Sequence, residues 1–230
     1  MEWLQNILEI DKEVFLFLNR INSSYWDTIM LMVTRKETWI PFYAVILFYI
    51  IKKYKIKALP IVVFLSLTIL LSDQISVLMK QSIQRFRPVY NPEIEHLVHN
   101  VLRKGSHYGF VSSHAANGFG IFVFTSRIFK NRNYRWLLLF WAILFSYSRI
   151  YSGVHYPLDI LGGALLGWGF GELSYQLLMF VEKRFLLSRS PEIQQTKLSN
   201  LQSGIILLVF AVLMVTVFIV SGILHHYQYL

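Results

Sequence analysis

The stretch "SRIYSGVHYPLDILGGALLGWGFG", residues 148–171, decides how the chain is read. Its second half is apolar and rich in glycine, yet Arg149, His155 and Asp159 stand at its front. Charged groups are costly inside a bilayer. A polar cluster directly before an apolar run therefore marks a junction at a membrane surface. One apolar segment ends near Ser148 and Arg149, and the next begins at Pro157, a favourable first helical residue.

Outward from this junction the same alternation recurs. Of 230 residues, 55% are hydrophobic and 15% charged, less charge than a soluble domain of this length carries. Mean hydropathy is +0.47. A bilayer is crossed by about 20 apolar residues. Six segments are predicted to cross: 38–52, which is short, then 58–80, 111–129, 135–151, 157–181 and 203–224. The fold class is therefore all-α, a polytopic membrane helix bundle of about six transmembrane helices, with 1–230 forming one integral-membrane domain. The segment 1–37 lies outside the spans, and 203–224 is an additional C-terminal one. Within residues 3–20, Trp3, Leu4, Ile7, Leu8, Val14, Phe15 and Leu18 alternate with acids. That pattern predicts an amphipathic helix, either lying at the interface or capping the bundle. Glu2, Glu9, Asp11 and Glu13 interrupt it, so no signal peptide is predicted. "NSSYWDTIMLMVT" reads as a turn and a short apolar piece.

The formal charge is +9. Lys and Arg lie mostly between apolar runs, which points to membrane topology and phosphate binding and away from nucleic acid. The absence of cysteine excludes disulfides, thiolate catalysis and Cys-based metal sites. Basic turns at 52–57, at 127–135 and at 183–197, the last with Lys183, Arg184, Arg189 and Lys197, fall on one side if the spans alternate. That side is cytoplasmic by the positive-inside rule. Both termini, the 150–157 turn and the 81–110 loop then face outward. The tail "HHYQYL" agrees, having no Lys or Arg, but the 81–110 loop carries Arg85, Arg87, Arg103 and Lys104 against the rule. An anion would account for them.

The unusual polar residues collect in three outward pieces: "KQSIQRFRP" (80–88), "VSSHAANG" (111–118) and the opening stretch. Asp73, Lys80 and Arg87 are spaced by seven, which places them on one helical face if the second span continues, with Asp73 available to pair with Lys80. Pro88 marks the exit from that helix. Lys80 and Arg87 are either snorkelling cations or an anion clamp. Ser112 or Ser113 can cap the third span, whose N-terminus attracts phosphate, and His114 follows in the first turn. Asp159, four residues after His155, can accept a hydrogen bond from its ring or serve as a dipole-stabilising acid. Taken singly, each of these residues has an ordinary structural explanation. Together they surround a space fit for a phosphate, with a nucleophile and a proton donor beside it. Gly163, Gly167 and Gly171 form a small-residue face for close helix packing, and Asp73 and Glu172 are acids within spans.

These three pieces resemble the signature of the type 2 phosphatidic acid phosphatase superfamily, which includes bacterial acid phosphatases and vanadium haloperoxidases. Its parts are K-x6-R-P, P-S-G-H and S-R-x5-H-x3-D. Lys80, Arg87 and Pro88 match the first, and Ser148, Arg149, His155 and Asp159 match the third. In the second, Ser112 and His114 match, while Val111 and Ser113 replace Pro and Gly. The motifs cover 80–159, and the four spans from 58 to 181 make the core. The resemblance implies a reaction without metal or cofactor. His155 forms a phosphohistidine, Asp159 orients it, and His114 protonates the leaving oxygen and then assists water. Lys80, Arg87 and Arg149 hold the phosphate oxygens with Ser112 and the Ser113 N–H. Ser113 in place of Gly implies an altered substrate preference.

For an integral-membrane member, the resemblance implies a membrane lipid phosphate as substrate and the bilayer as partner. Undecaprenyl diphosphate or a broad range of lipid phosphates is favoured. Lipid A and phosphatidylglycerol phosphate are the alternatives, and a phosphate-binding transporter is the non-enzymatic one. The expected location is the bacterial inner membrane, with the site facing the periplasm or cell exterior.

Overall fold

The computed structural model describes residues 2–102, 105–186 and 191–227. Arg103, Lys104, Arg189 and the tail beyond Tyr227 lie outside the described residues. Eight α-helices follow in order among them: α1 (Glu2–Asn19), α2 (Ser24–Thr34), α3 (Ile40–Tyr54), α4 (Ala58–Ile83), α5 (Ser113–Phe129), α6 (Arg132–Tyr151), α7 (Pro157–Val181) and α8 (Asn200–His226). The six expected apolar segments correspond to α3 through α8. The short piece after residue 22 is itself a helix, α2, because the Ser23 side chain caps it by accepting from the Trp26 N–H. Asn131 and Ser199 cap α6 and α8 in the same way.

Helix α5 is central, packed against α4, α6 and α7. The α5–α7 contact is close because Gly163, Gly167 and Gly171 face α5. A Cβ at Gly163 would strike the Ser112 carbonyl, and one at Gly167 the Ala116 carbonyl. This is the small-residue packing expected of α7. A second layer of aromatic side chains joins α3, α6 and α8 through Trp39, Phe42, Trp141 and Phe210.

The exterior of the bundle is apolar. Leu59, Leu70, Trp136, Leu165, Phe180 and Leu208 are all exposed. Inside, small hydroxyl residues such as Thr68, Ser72, Ser146 and Ser174 are buried. Lys36–Ile83, which contains α3 and α4, and Asn200–His226 are long and apolar enough to cross a membrane.

Helix α1 caps the bundle, one of the two roles the sequence left open, and keeps an exposed apolar face. Asp11, Phe15 and Asn19 are buried against the bundle end, and the Asn19 amide donates to the carbonyls of His99, Ile150 and Tyr151. Meanwhile Trp3, Ile10 and Phe17 remain exposed. At the opposite end of the bundle, Lys57 and Glu182 form a buried ion pair at 2.7 Å. Glu172 pairs with Arg127 at 2.8 Å, which accounts for an acid placed inside a span.

Candidate active site

All three motif pieces meet at one end of the bundle. The third is organised by the start of α7. Pro157 fixes the first turn, and the Asp159 carboxylate reaches back to accept from the Tyr156 N–H at 3.1 Å. The same Oδ2 lies 3.2 Å from His155 Nδ1. With Nδ1–H donating to the carboxylate, Nε2 is the ring atom left with a free lone pair. Asp159 and His155 are both buried. Burial holds the His155 imidazole well below its ordinary pKa, reinforced by Arg87, Arg149, Lys80 and Arg85. This favours the neutral imidazole, the form able to act as a nucleophile.

Arg87 arrives by a different route from the one expected. α4 stops at Ile83 because Gln84 takes a left-handed conformation (φ 53°), so Lys80 and Arg87 do not share a helical face. The chain then runs extended beside residues 107–109. Arg87 N donates to the His107 carbonyl, and Gly109 N to that of Arg85. In an extended run, residues two apart point the same way. Arg85 and Arg87 accordingly turn inward, while Phe86 is exposed. Arg87 is fixed by Nε to the Tyr108 carbonyl and Nη2 to Ser106 Oγ, and its burial lowers its pKa. Gly109 leaves room for this approach, since a Cβ there would lie 2.8 Å from Asp159 Oδ2.

In the second piece, Ser112 is the N-cap of α5, its Oγ accepting from Ala115 N, and its own N–H donates to the Asp159 carbonyl. The "VSSH" and "HYPLD" motifs are therefore joined by a backbone bond. The expected Asp73–Lys80 pair does not form. Lys80 Nζ instead donates to Ser113 Oγ at 2.7 Å, because Ser113 offers an oxygen where the family pattern has a glycine. Arg149 is half-buried near the end of α6, with Nη1 donating to Thr34 Oγ1 at 2.8 Å and Nε left without a partner. Among the described residues, none of Lys80, Arg87 and Arg149 is ion-paired to a carboxylate.

His114 stacks on Phe145 with ring centroids 5.0 Å apart and opens onto a cavity of about 650 Å³. Ile46, Ile50, Leu65, Ile121 and Trp141 line its depth, with Arg35, Lys36 and Glu37 also on its wall. The site therefore has a cationic pole at His155 and an apolar one below His114.

Three participants were not identified from sequence. Arg85 Nη1 lies 3.0 Å from Asp159 Oδ1, and its Nη2 2.6 Å from Asp11 Oδ2. Thr34 touches Arg149. Arg85 stood out only as a cation defying the charge rule, and Asp11 only as an acid breaking an apolar pattern.

The model of the PAP2 superfamily matches residues 61–183. A lipid A 4'-phosphatase of Bacteroides thetaiotaomicron is 42% identical over 73% of this chain and 76% of the relative. One from Porphyromonas gingivalis is 35% identical over 82% of this chain and 81% of its own. The undecaprenyl-diphosphatase BcrC of Bacillus subtilis is 32% identical over a shorter stretch, 40% of this chain and 48% of the relative. Among solved structures, Aquifex aeolicus LpxE superposes with a TM-score of 0.57 and 25% identity, covering 71% of this chain and 93% of that one.

Proposed function

The chain belongs to the PAP2 superfamily, and on that premise we propose that it is a lipid A phosphatase acting through a phosphohistidine. That it is a phosphatase acting on a lipid phosphate follows from its family and relatives. The observation that carries the chemistry is the set of three cations, Lys80, Arg87 and Arg149, none ion-paired to a carboxylate among the described residues, around a buried His155–Asp159 pair.

His155 Nε2 attacks phosphorus as the bond to the lipid oxygen breaks. His114 gives that oxygen its proton. Water then attacks the phosphohistidine, gives a proton to His114, and releases phosphate and neutral His155. Asp159 keeps the Nδ1 proton in place and offsets the positive charge that the ring acquires. Lys80, Arg87, Arg149, the Ser112 hydroxyl and the Ser113 N–H hold the equatorial oxygens, so catalysis is chiefly positioning and charge stabilisation. No step calls for a metal or cofactor. A transporter would need the cations but not the histidine–aspartate pair.

The apolar cavity below His114 gives room for part of the lipid, such as one acyl chain. Sequence reading favoured undecaprenyl diphosphate or a broad range of lipid phosphates, with lipid A among the alternatives. The lipid A 4'-phosphatases match most of the chain at 42% and 35% identity, whereas an undecaprenyl-diphosphatase of Sulfolobus acidocaldarius matches a similar share at only 29% and BcrC a shorter stretch, which supports lipid A. Six spans, α3 to α8, cross the inner membrane with the site on its outer face. Exposed apolar side chains on α3, α4, α6, α7 and α8, which surround the central α5, support this arrangement. The whole chain acts as one membrane domain.

The test is phosphate release by purified protein from lipid A, undecaprenyl diphosphate, phosphatidylglycerol phosphate and phosphatidic acid, beside His155→Ala. Preferred hydrolysis of lipid A, abolished in the variant, is expected. Preference for undecaprenyl diphosphate would restore the other substrate, and release surviving in the variant would remove His155 as nucleophile.

A further inference from the structure

Helix α1 carries no motif residue, yet its Asp11 is linked to the His155–Asp159 pair through Arg85. Asp11 is buried and uses both oxygens. Oδ2 takes Arg85 Nη2 at 2.6 Å, and Oδ1 accepts from the Leu158 N–H at 2.9 Å. Leu158 lies in the first turn of α7, where backbone N–H groups have no intrahelical partner. Asp11 therefore acts as a capping acid supplied from another helix, one residue before Asp159. Arg85 is stacked over Tyr156, its Cζ 4.2 Å from the ring centroid, and Phe15 packs on the other edge of that ring.

The guanidinium is thus shared. One nitrogen goes to Asp11 and the other to Asp159 Oδ1, which leaves Asp159 Oδ2 for His155 and the Tyr156 N–H. Arginine and a carboxylate prefer a bidentate fork. Without the Asp11 charge, Arg85 is free to take both oxygens of Asp159 and draw Oδ2 from His155. Its undivided positive charge would then also oppose charge building on the imidazole.

We propose that Asp11 is a positioning residue for the reaction, dividing the Arg85 guanidinium so that Asp159 keeps one oxygen for His155. This inference rests on the phosphatase function proposed for the site. It gives the N-terminal helix a part in catalysis as well as in packing.

The experiment measures kcat, KM and the pH profile of phosphate release for Asp11→Asn, Arg85→Gln, the double variant and Phe15→Ala. The charged and titratable groups facing the pair are Lys80 on α4, His114 on α5, Arg149 on α6, Arg85 and Arg87 on the connection, Tyr156 and Asp11. Asp11→Asn is expected to lower kcat on the order of tenfold with KM unchanged. The acid limb of kcat/KM moves to lower pH, because an undivided Arg85 charge disfavours the imidazolium. In the Arg85→Gln background, Asp11→Asn adds no further loss, since Asp11 acts through Arg85. Phe15→Ala loosens α1 without touching charge and leaves the limb in place. Wild-type kcat in Asp11→Asn, additive losses in the double variant, or a limb that stays put as in Phe15→Ala would each overturn the role. If Asp11→Asn is silent while His155→Ala is inactive, only this inference falls. A wild-type chain releasing no phosphate overturns the phosphatase function and this role with it.

Discussion

Ser113 Oγ accepts a hydrogen bond from the Lys80 ammonium at 2.7 Å, and its other neighbour is Ser76 Oγ. Where the family motif has glycine, this chain thus has a side chain that holds one of the cations proposed to bind phosphate. A hydrogen bond to a charged group contributes about 1.5–3 kcal/mol. Ser113→Gly retains the backbone N–H but frees Lys80, so KM for the lipid phosphate is expected to rise about fivefold with kcat largely kept. Steady-state phosphate release checks this. An unchanged KM would show that Ser76 suffices to place Lys80.

Arg149 is half-buried and donates to Thr34 through Nη1 while its Nε has no protein partner, so it can hold Thr34 and meet an anion at once. Lysine has no planar fork and cannot do both. Vanadate mimics the five-coordinate phosphorus of the transition state, so it should inhibit the wild-type protein. Arg149→Lys is expected to raise the vanadate inhibition constant about 100-fold, the size of a lost oxyanion donor. Inhibition of equal strength in both proteins would place the anion elsewhere.

The depressed His155 has a consequence for pH. Its unfolded-state pKa is the ordinary 6.5, and burial and the neighbouring cations hold it well below that in the folded chain. Below 6.5 the unfolded state binds the extra proton first, so stability is full above that pH and is lost as pH falls toward the folded value. Thermal unfolding in detergent at about pH 5 and about pH 7.5 should show a smaller acid loss for His155→Asn than for wild type. The acid limb of kcat/KM should likewise lie below the usual histidine range. A limb near the ordinary value would mean that the imidazole is not desolvated.

How legible this was depended on the residue. The long apolar helices were readable because lipid demands continuous apolar runs, and the gathering of His155, Asp159 and Arg149 at one end of the bundle because their motif fixes their spacing. Helix α2 was not, being 11 residues held by a local cap and by packing on α6 and α8. The helical register from Lys80 to Arg87 failed at Gln84, a non-glycine residue in a left-handed conformation that no residue-type signal marks. Arg85 and Asp11 are 74 positions apart, and periodicity carries no information about such a pair. The preferred lipid was illegible too, because the apolar cavity proposed to receive the lipid has a shape that exists only after folding.

The glycines of α7 separate packing from propensity. A Cβ at Gly167 would run into the Ala116 backbone, with its carbonyl carbon 2.8 Å away, whereas one at Gly169 meets nothing within 4 Å. Backbone cannot yield as a side chain can. Gly167→Ala is therefore expected to destabilise by about 1–3 kcal/mol and to lower activity, since the same face seats Ser112. Gly169→Ala is expected to be neutral or to gain up to about 1 kcal/mol from helix propensity. Equal melting temperatures for the two would show that α5 and α7 are not in close contact.

Orientation can be tested because the chain has no cysteine, so introduced ones label without background. Glu95–Leu97 lies in the connection that carries Arg85 and Arg87, at the same end as His155, while Lys55–Lys57 lies beyond the far end of α3. His96 and Ile56 are both exposed, so each can be replaced without disturbing the bundle. With the site on the outer face, His96→Cys reacts with an impermeant maleimide on intact cells and Ile56→Cys reacts only after permeabilisation. The reverse pattern would turn the site to the cytoplasm. Lipid phosphates of the outer leaflet would then be out of reach, and a substrate consumed on the inner face would have to be sought.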